Sequence, residues 1–126
     1  MARILLIDDD RDMSHLTSTA LMKKGHEVLC FQEAKKGIEE AKRQKPHLIL
    51  MDVMLPGMDG GQAVKQLKMD PDLKDVPVVF LTALVSADKE GPEEVGIKVD
   101  GLTYKTLGKP YEIEQLLKTV EDIVRK

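Results

Sequence analysis

Short apolar runs alternate with apolar stripes at helical spacing along the chain. Residues 3–7, RILLI, form a continuous apolar run of the kind found in strands buried on both faces. Met13, Leu16, Thr17, Ala20 and Leu21 then follow a helical repeat, with Asp10 or Asp12 as cap and Gly25 as stop. Residues 27–31, EVLCF, predict a second strand. Ala34, Ile38 and Ala41 mark one stripe of a helix that ends before Pro46. Residues 48–51, LILM, predict a third buried strand that stops on Asp52. Asp59-Gly60-Gly61 opens a helix carrying Ala63, Val64 and Leu67, and Asp70-Pro71 ends it. A fourth strand is expected over 76–81 with Pro77 at its beginning, and a fifth within 100–107. Residues 86–96 predict a short helix interrupted by Gly91-Pro92. Ile113, Leu116, Leu117, Val120, Ile123 and Val124 predict the last one. Strands alternating with helices imply an α/β fold, a parallel sheet covered on both faces.

Composition narrows the class. With 126 residues and no internal repeat or linker, one domain spanning 1–126 is expected. Net charge is −3, which gives no basic footprint for nucleic acid. The single cysteine, Cys30, cannot form an internal disulfide; it reads as core filler in a reduced, cytoplasmic setting. No stretch reaches membrane-spanning length, and the apolar start runs into acids too soon for a signal peptide.

Ligands of open parallel sheets bind outside the carboxyl ends of the strands. The residues there are Asp8, Asp9 and Asp10 after strand one, Asp52 after strand three, Thr82 and Ala83 after strand four, and Lys109-Pro110 after strand five. Each has an ordinary reading of its own: a capping turn, an Asx-turn, a strand-end hydroxyl, a surface lysine. Together they suggest something else. Clustered carboxylates repel unless a hard cation offsets them, and magnesium is commonly shared between carboxylates and a phosphate. A hydroxyl and a lysine suit phosphoryl oxygens, and an aspartate can form an acyl phosphate.

Four blocks, ILLIDDD, LILMDVMLPGMDG, VPVVFLTA and GKPYE, carry a resemblance to the receiver domain of two-component response regulators, in that family's order and over essentially the whole chain. The resemblance implies a flavodoxin-like, doubly wound, five-stranded parallel sheet in the order 2-1-3-4-5 with about five helices. It implies Asp52 as phosphoacceptor, and Asp8, Asp9, Asp52 and the main-chain carbonyl of Met54 as ligands of Mg2+ or Mn2+. It also implies Thr82 and Lys109 on the phosphoryl group, and a cis candidate at Lys109–Pro110. The implied donor is a histidine kinase, a phosphotransfer protein or a small phosphodonor. The output is a downstream protein partner, with the chain a monomer or weak dimer, either stand-alone or part of a longer protein.

There are departures. Thr106 stands where such domains often carry Tyr or Phe, and Tyr104 lies two residues earlier on the same strand face. Met54 and Leu84 are apolar at positions where polar groups orient water, which implies slow loss of the phosphoryl group. Three other readings compete. A receiver-like docking module that no longer switches is one. An aspartate-nucleophile phosphatase would need an acid where Met54 stands. A flavin- or dinucleotide-binding domain would need glycines in the turn DDDRDM.

Overall fold

The computed structural model describes residues 2–52, 54–55, 58–82, 97–99, 102–108 and 111–124. In chain order the elements are β1 (Arg3–Ile7), α1 (Arg11–Lys23), β2 (Glu27–Phe31), α2 (Ala34–Gln44), β3 (Leu48–Asp52), β4 (Met54–Leu55) and β5 (Met58–Asp59). They continue with α3 (Gly60–Met69), β6 (Val78–Thr82), β7 (Ile97–Val99), β8 (Leu102–Gly108) and α4 (Ile113–Val124).

Five strands pair in parallel, in the spatial order β2-β1-β3-β6-β8. Counting only these, the order is the expected 2-1-3-4-5 of a doubly wound sheet. A sixth strand was not anticipated: β7 pairs antiparallel with β8 at the outer edge. The described residues hold four helices; the expected interrupted helix at 86–96 lies outside them.

The two faces of the sheet are sorted by strand alternation. Leu5, Ile7, Ile49, Met51 and Phe80 face one way and pack with Ala34, Ile38 and Ala41 of α2 and Ala63, Val64 and Leu67 of α3. Ile4, Leu6, Leu48, Leu50 and Leu81 face the other way and pack with Leu21 of α1 and Leu116 and Val120 of α4. Because β1 and β3 are covered on both sides, every residue from Ile4 to Ile7 and from Leu48 to Met51 is buried. Gly37 lets α2 approach β1: a Cβ there would lie 2.5 Å from Ile7 Cδ1 and 2.7 Å from Cγ1.

Two expectations are corrected. Leu16 belongs to the helical repeat of α1 but is 58% exposed; the buried face is Thr17, Ser18 and Leu21, with Met13 partly covered. Cys30 is exposed rather than core filler, because β2 is an edge strand none of whose residues is fully buried. Local burial of the thiol still pushes its pKa up, against a hydrogen bond with Ser18 that lowers it.

At the corner between α3 and β6, the Lys68 ammonium donates to the carbonyls of Lys74 at 2.6 Å and Val76 at 3.3 Å. It also stands 5.7 Å from the Tyr104 ring centroid, within cation–π range. Burial lowers the Lys68 pKa from 10.5, and nearby Asp75 raises it by less. With the folded value below the unfolded one, the unfolded chain binds more protons in between, so this group's contribution to stability rises with pH in that window. Lys68→Met is expected to weaken the protein by leaving the Lys74 and Val76 carbonyls without this donor, and to flatten the gain in stability as the pH rises toward 10.5. Urea unfolding of both proteins at several pH values checks this; parallel curves would count against it.

Candidate functional site

The register of the sheet builds the site. β1 and β3 are neighbours with Ile7 opposite Met51, so the next residues, Asp8 and Asp52, stand side by side at the carboxyl edge. One carboxylate oxygen each from Asp8, Asp9 and Asp52 lies within 4.8 Å of the others. Asp8 is 1% exposed and Asp52 7% exposed, while Asp9 is open to solvent.

The acidic turn is divided by function. Asp10 is the N-cap of α1, its Oδ1 accepting from Met13 N–H at 3.0 Å. Asp8 Oδ1 accepts from Asp10 N–H at 3.0 Å, and Asp8 N–H donates to Phe31 O at 3.0 Å. The cap therefore also fixes the buried carboxylate that meets Asp52.

On the other side of β3, Asp52 pairs with Leu81, and the next residue of β6 is Thr82, which pairs with Gly108 of β8. Thr82 thus ends the neighbouring strand at the same sheet edge, and Gly108 is the last residue before Lys109. Lys109, Pro110, Ala83 and Leu84 lie outside the described residues, as does the cis candidate. Met54, two residues past Asp52, opens a two-residue antiparallel ladder with β5, Met54 opposite Asp59. That ladder was not anticipated, although Pro56-Gly57 between its strands is a turn signal.

The donor set suits a hard divalent cation: three carboxylates, all oxygen, with neither sulfur nor imidazole in the cluster. Magnesium holds oxygens at about 2.1 Å, so trans ligands stand about 4.2 Å apart. A spread of 4.8 Å accommodates such an ion with small adjustment or through a ligand water. Beside Asp8, on the β2 side, a groove of about 420 Å³ is lined by Arg11, His15, Ser18, Cys30 and Lys36 among others.

Residues 4–121 match the response regulator receiver domain family. The chain belongs to that family. It is 35% identical over 124 residues to the protein PilH of Pseudomonas aeruginosa, covering 98% of both chains. It spans half of the length of RpaA of Synechocystis and about a quarter of that of PleD of Caulobacter vibrioides. Among solved structures it resembles chemotaxis protein CheY4 of Vibrio cholerae, at 29% identity, 98% coverage of each chain and a TM-score of 0.81. The receiver domain of sensor histidine kinase PA1611 from Pseudomonas aeruginosa has the same fold, with 24% identity, 99% and 98% coverage and a TM-score of 0.82; that structure holds a magnesium ion coordinated in its active-site cleft. In this receiver domain, no described helix is long and apolar enough to cross a membrane.

Two contacts escaped the sequence reading. Tyr104 packs edge-on to Phe80, with centroids 5.7 Å apart and planes at 78°. Thr17 Oγ1 and Tyr111 OH are hydrogen-bonded at 2.7 Å across 94 residues of sequence. Nothing in local periodicity signals the second; it depends on how α1 and the segment before α4 meet.

Proposed function

We propose that this receiver domain, one unit over 1–126, is a phosphorylation switch in which Asp52 accepts a phosphoryl group in the cytoplasm. The observation that supports it most is the convergence of Asp8, Asp9 and Asp52 within 4.8 Å at the carboxyl edge of the sheet. A carboxylate oxygen of Asp52 attacks phosphorus on a phosphohistidine of a kinase or phosphotransfer protein, or on a small acyl phosphate. The bond from phosphorus to the leaving nitrogen or oxygen breaks, the leaving group takes up a proton as needed, and an aspartyl phosphate remains. Asp8, Asp9, Asp52 and the Met54 carbonyl would hold Mg2+ or Mn2+, which would supply charge neutralisation at the phosphoryl oxygens. Thr82 donates its hydroxyl to one phosphoryl oxygen and Lys109 its ammonium to another, and these contacts, absent in the free form, shift a pre-existing equilibrium. The chain catalyses only its own phosphorylation and its own hydrolysis. Its output is altered affinity for a protein partner, without direct nucleic-acid contact, as a monomer or weak dimer.

Incubation with acetyl phosphate tests the reading. Label should appear only with Mg2+ and should be released by hydroxylamine, as an acyl phosphate is. Absence of label, or label insensitive to EDTA, would remove the claim. The apolar Met54 side chain should make the signal long-lived. Met54→Asn is therefore expected to speed dephosphorylation roughly tenfold, a modest share of what one positioned polar group contributes to proton transfer. Chasing the label after donor removal measures this, and an unchanged rate would count against it.

A second reading, docking without switching, draws support from one observation. Thr106 replaces the usual ring, and Tyr104 is buried under Phe80 and Lys68. NMR with beryllofluoride separates the two: shifts confined to the acidic site favour docking only, and shifts extending through 84–107 favour the switch.

A further inference from the structure

We propose that the groove beside Asp8 is a second binding site, for a small organic phosphate held by Arg11, His15 and Lys36. The site does not need Asp52 to be a phosphoacceptor.

The groove follows from the chain path. β1 leads into α1, which packs on one face of the sheet, and β2 leads into α2, which packs on the other. The two helix starts diverge, and a cavity of about 420 Å³ lies between them at the carboxyl end of β2. Crevices outside the carboxyl ends of strands are where open α/β sheets bind ligands, and this one has the size of a small-molecule pocket. Arg11, Ser14, His15 and Ser18 line it from α1. Their spacing, i, i+3, i+4 and i+7, is that of a helix face, and a face turned to a core would be apolar. Here it is wholly polar, while Met13 and Leu21 of the same helix pack into the apolar cluster. Cys30 and the partly buried Phe31 add less polar surface from β2.

The cations are not committed elsewhere. Among the described residues, the Arg11 guanidinium and the His15 imidazole have no hydrogen bond or ion pair. Lys36 has only Glu33, at 3.9 Å, in a pair too exposed to hold it firmly. Two acids also line the groove. Glu33 is that partner of Lys36, and Asp8 accepts from Asp10 N–H and joins the metal acids. With a cation on the acid cluster, Asp8 is offset and the groove favours an anion. A phosphate monoester suits the donors: the guanidinium forks onto two oxygens, and ammonium and imidazole take the others. The organic part then lies on the Phe31 side.

Phenyl phosphate and inorganic phosphate are the probes, titrated into the isotope-labelled chain with magnesium and followed by NMR. Phenyl phosphate is expected to shift the amide signals of Ser14, Ser18, Cys30 and Lys36, and to bind several-fold more tightly than inorganic phosphate. Equal affinities would overturn the organic half of the assignment. Arg11→Ala should weaken binding roughly tenfold, the low end of what a hydrogen bond to a charged group carries, and Lys36→Ala should weaken it as well. Arg11→Lys, which keeps the charge without the fork, should lose less. Lys23→Ala, at the far end of α1, controls for net charge and should bind as native. All of these replace exposed residues, so the fold is not at stake. EDTA should weaken binding about fivefold, a modest coupling between neighbouring sites, because Asp8 then meets the probe with its charge uncompensated. Undiminished binding in EDTA would count against a site walled by Asp8. Native affinity in both Arg11→Ala and Lys36→Ala would overturn the proposal, as would shifts confined to Asp52 and its neighbours, which put the phosphate on the metal. A chain that takes no label from acetyl phosphate yet binds phenyl phosphate in the groove would sink the phosphoacceptor reading and leave this one standing.

Discussion

Asp52→Asn is expected to abolish labelling by acetyl phosphate and to leave the fold intact. The amide has the shape of the carboxylate but lacks the anionic oxygen that the proposed switch uses to form an acyl phosphate. Asp52 ends a strand whose preceding four residues are fully buried and whose pairing with Leu81 is made by the backbone, so the substitution disturbs no packing. It also removes one of three negative charges held within 4.8 Å. At that spacing each pair repels by a few kcal/mol at an effective dielectric of about 20, and the exposure of Asp9 reduces this further. The metal-free variant should therefore melt about 2–5 °C higher than the native chain. Magnesium reverses the order: at about 100 times its dissociation constant it stabilises the native fold by about 2.7 kcal/mol, and the variant by less. Mass spectrometry after labelling, with melting curves in EDTA and in magnesium, reads all of this. Undiminished labelling of the variant would place the phosphoryl group elsewhere.

The prominence of Asp52 could be read before any coordinates because the sheet is simple. A run buried on both faces marks a central strand, and RILLI and LILMD form β1 and β3 as neighbours. Once two parallel strands are adjacent with Ile7 opposite Met51, the residues that follow these two meet, which brings Asp8 to Asp52. Strands of two and three residues show no periodicity, so β4, β5 and β7 were not legible as strands. Their only traces were Pro56-Gly57 and Asp100-Gly101, dipeptides of the turn-forming kind. Cys30 and Leu16 were misjudged for a related reason. Sequence pattern identifies an apolar position but not whether a neighbour covers it, and both lie where the fold leaves a side open. The Thr17–Tyr111 bond is a still longer-range fact, set by the packing of α1 against the α4 end of the chain.

Phe80→Ala should cost the most stability of any single truncation near the site. Phe80 is among the largest side chains in the structure with no exposure, and it lies on β6 between Met51 of β3 and Thr106 of β8. Cutting a buried phenylalanine to alanine typically loses about 3–5 kcal/mol in transfer and cavity terms. The edge-on contact with Tyr104 adds about 0.5–1.5 kcal/mol. For a chain of this size the melting temperature should fall by roughly 10–20 °C. Leu16→Ala is the control: it removes a large apolar side chain that is 58% exposed, and should change stability by no more than about 0.5 kcal/mol. The consequence reaches the site, because Met51, opposite Phe80, directly precedes Asp52. A cavity at Phe80 loosens the strand pair that holds Asp52, the proposed acceptor, at the edge where β6 ends, so labelling should slow even below the melting transition. Urea unfolding at constant m-value, paired with labelling at low temperature, separates the two effects. A loss under about 1 kcal/mol would mean that the sheet repacks around Tyr104, and that β6 is held in place chiefly by its backbone pairing with β3 and β8.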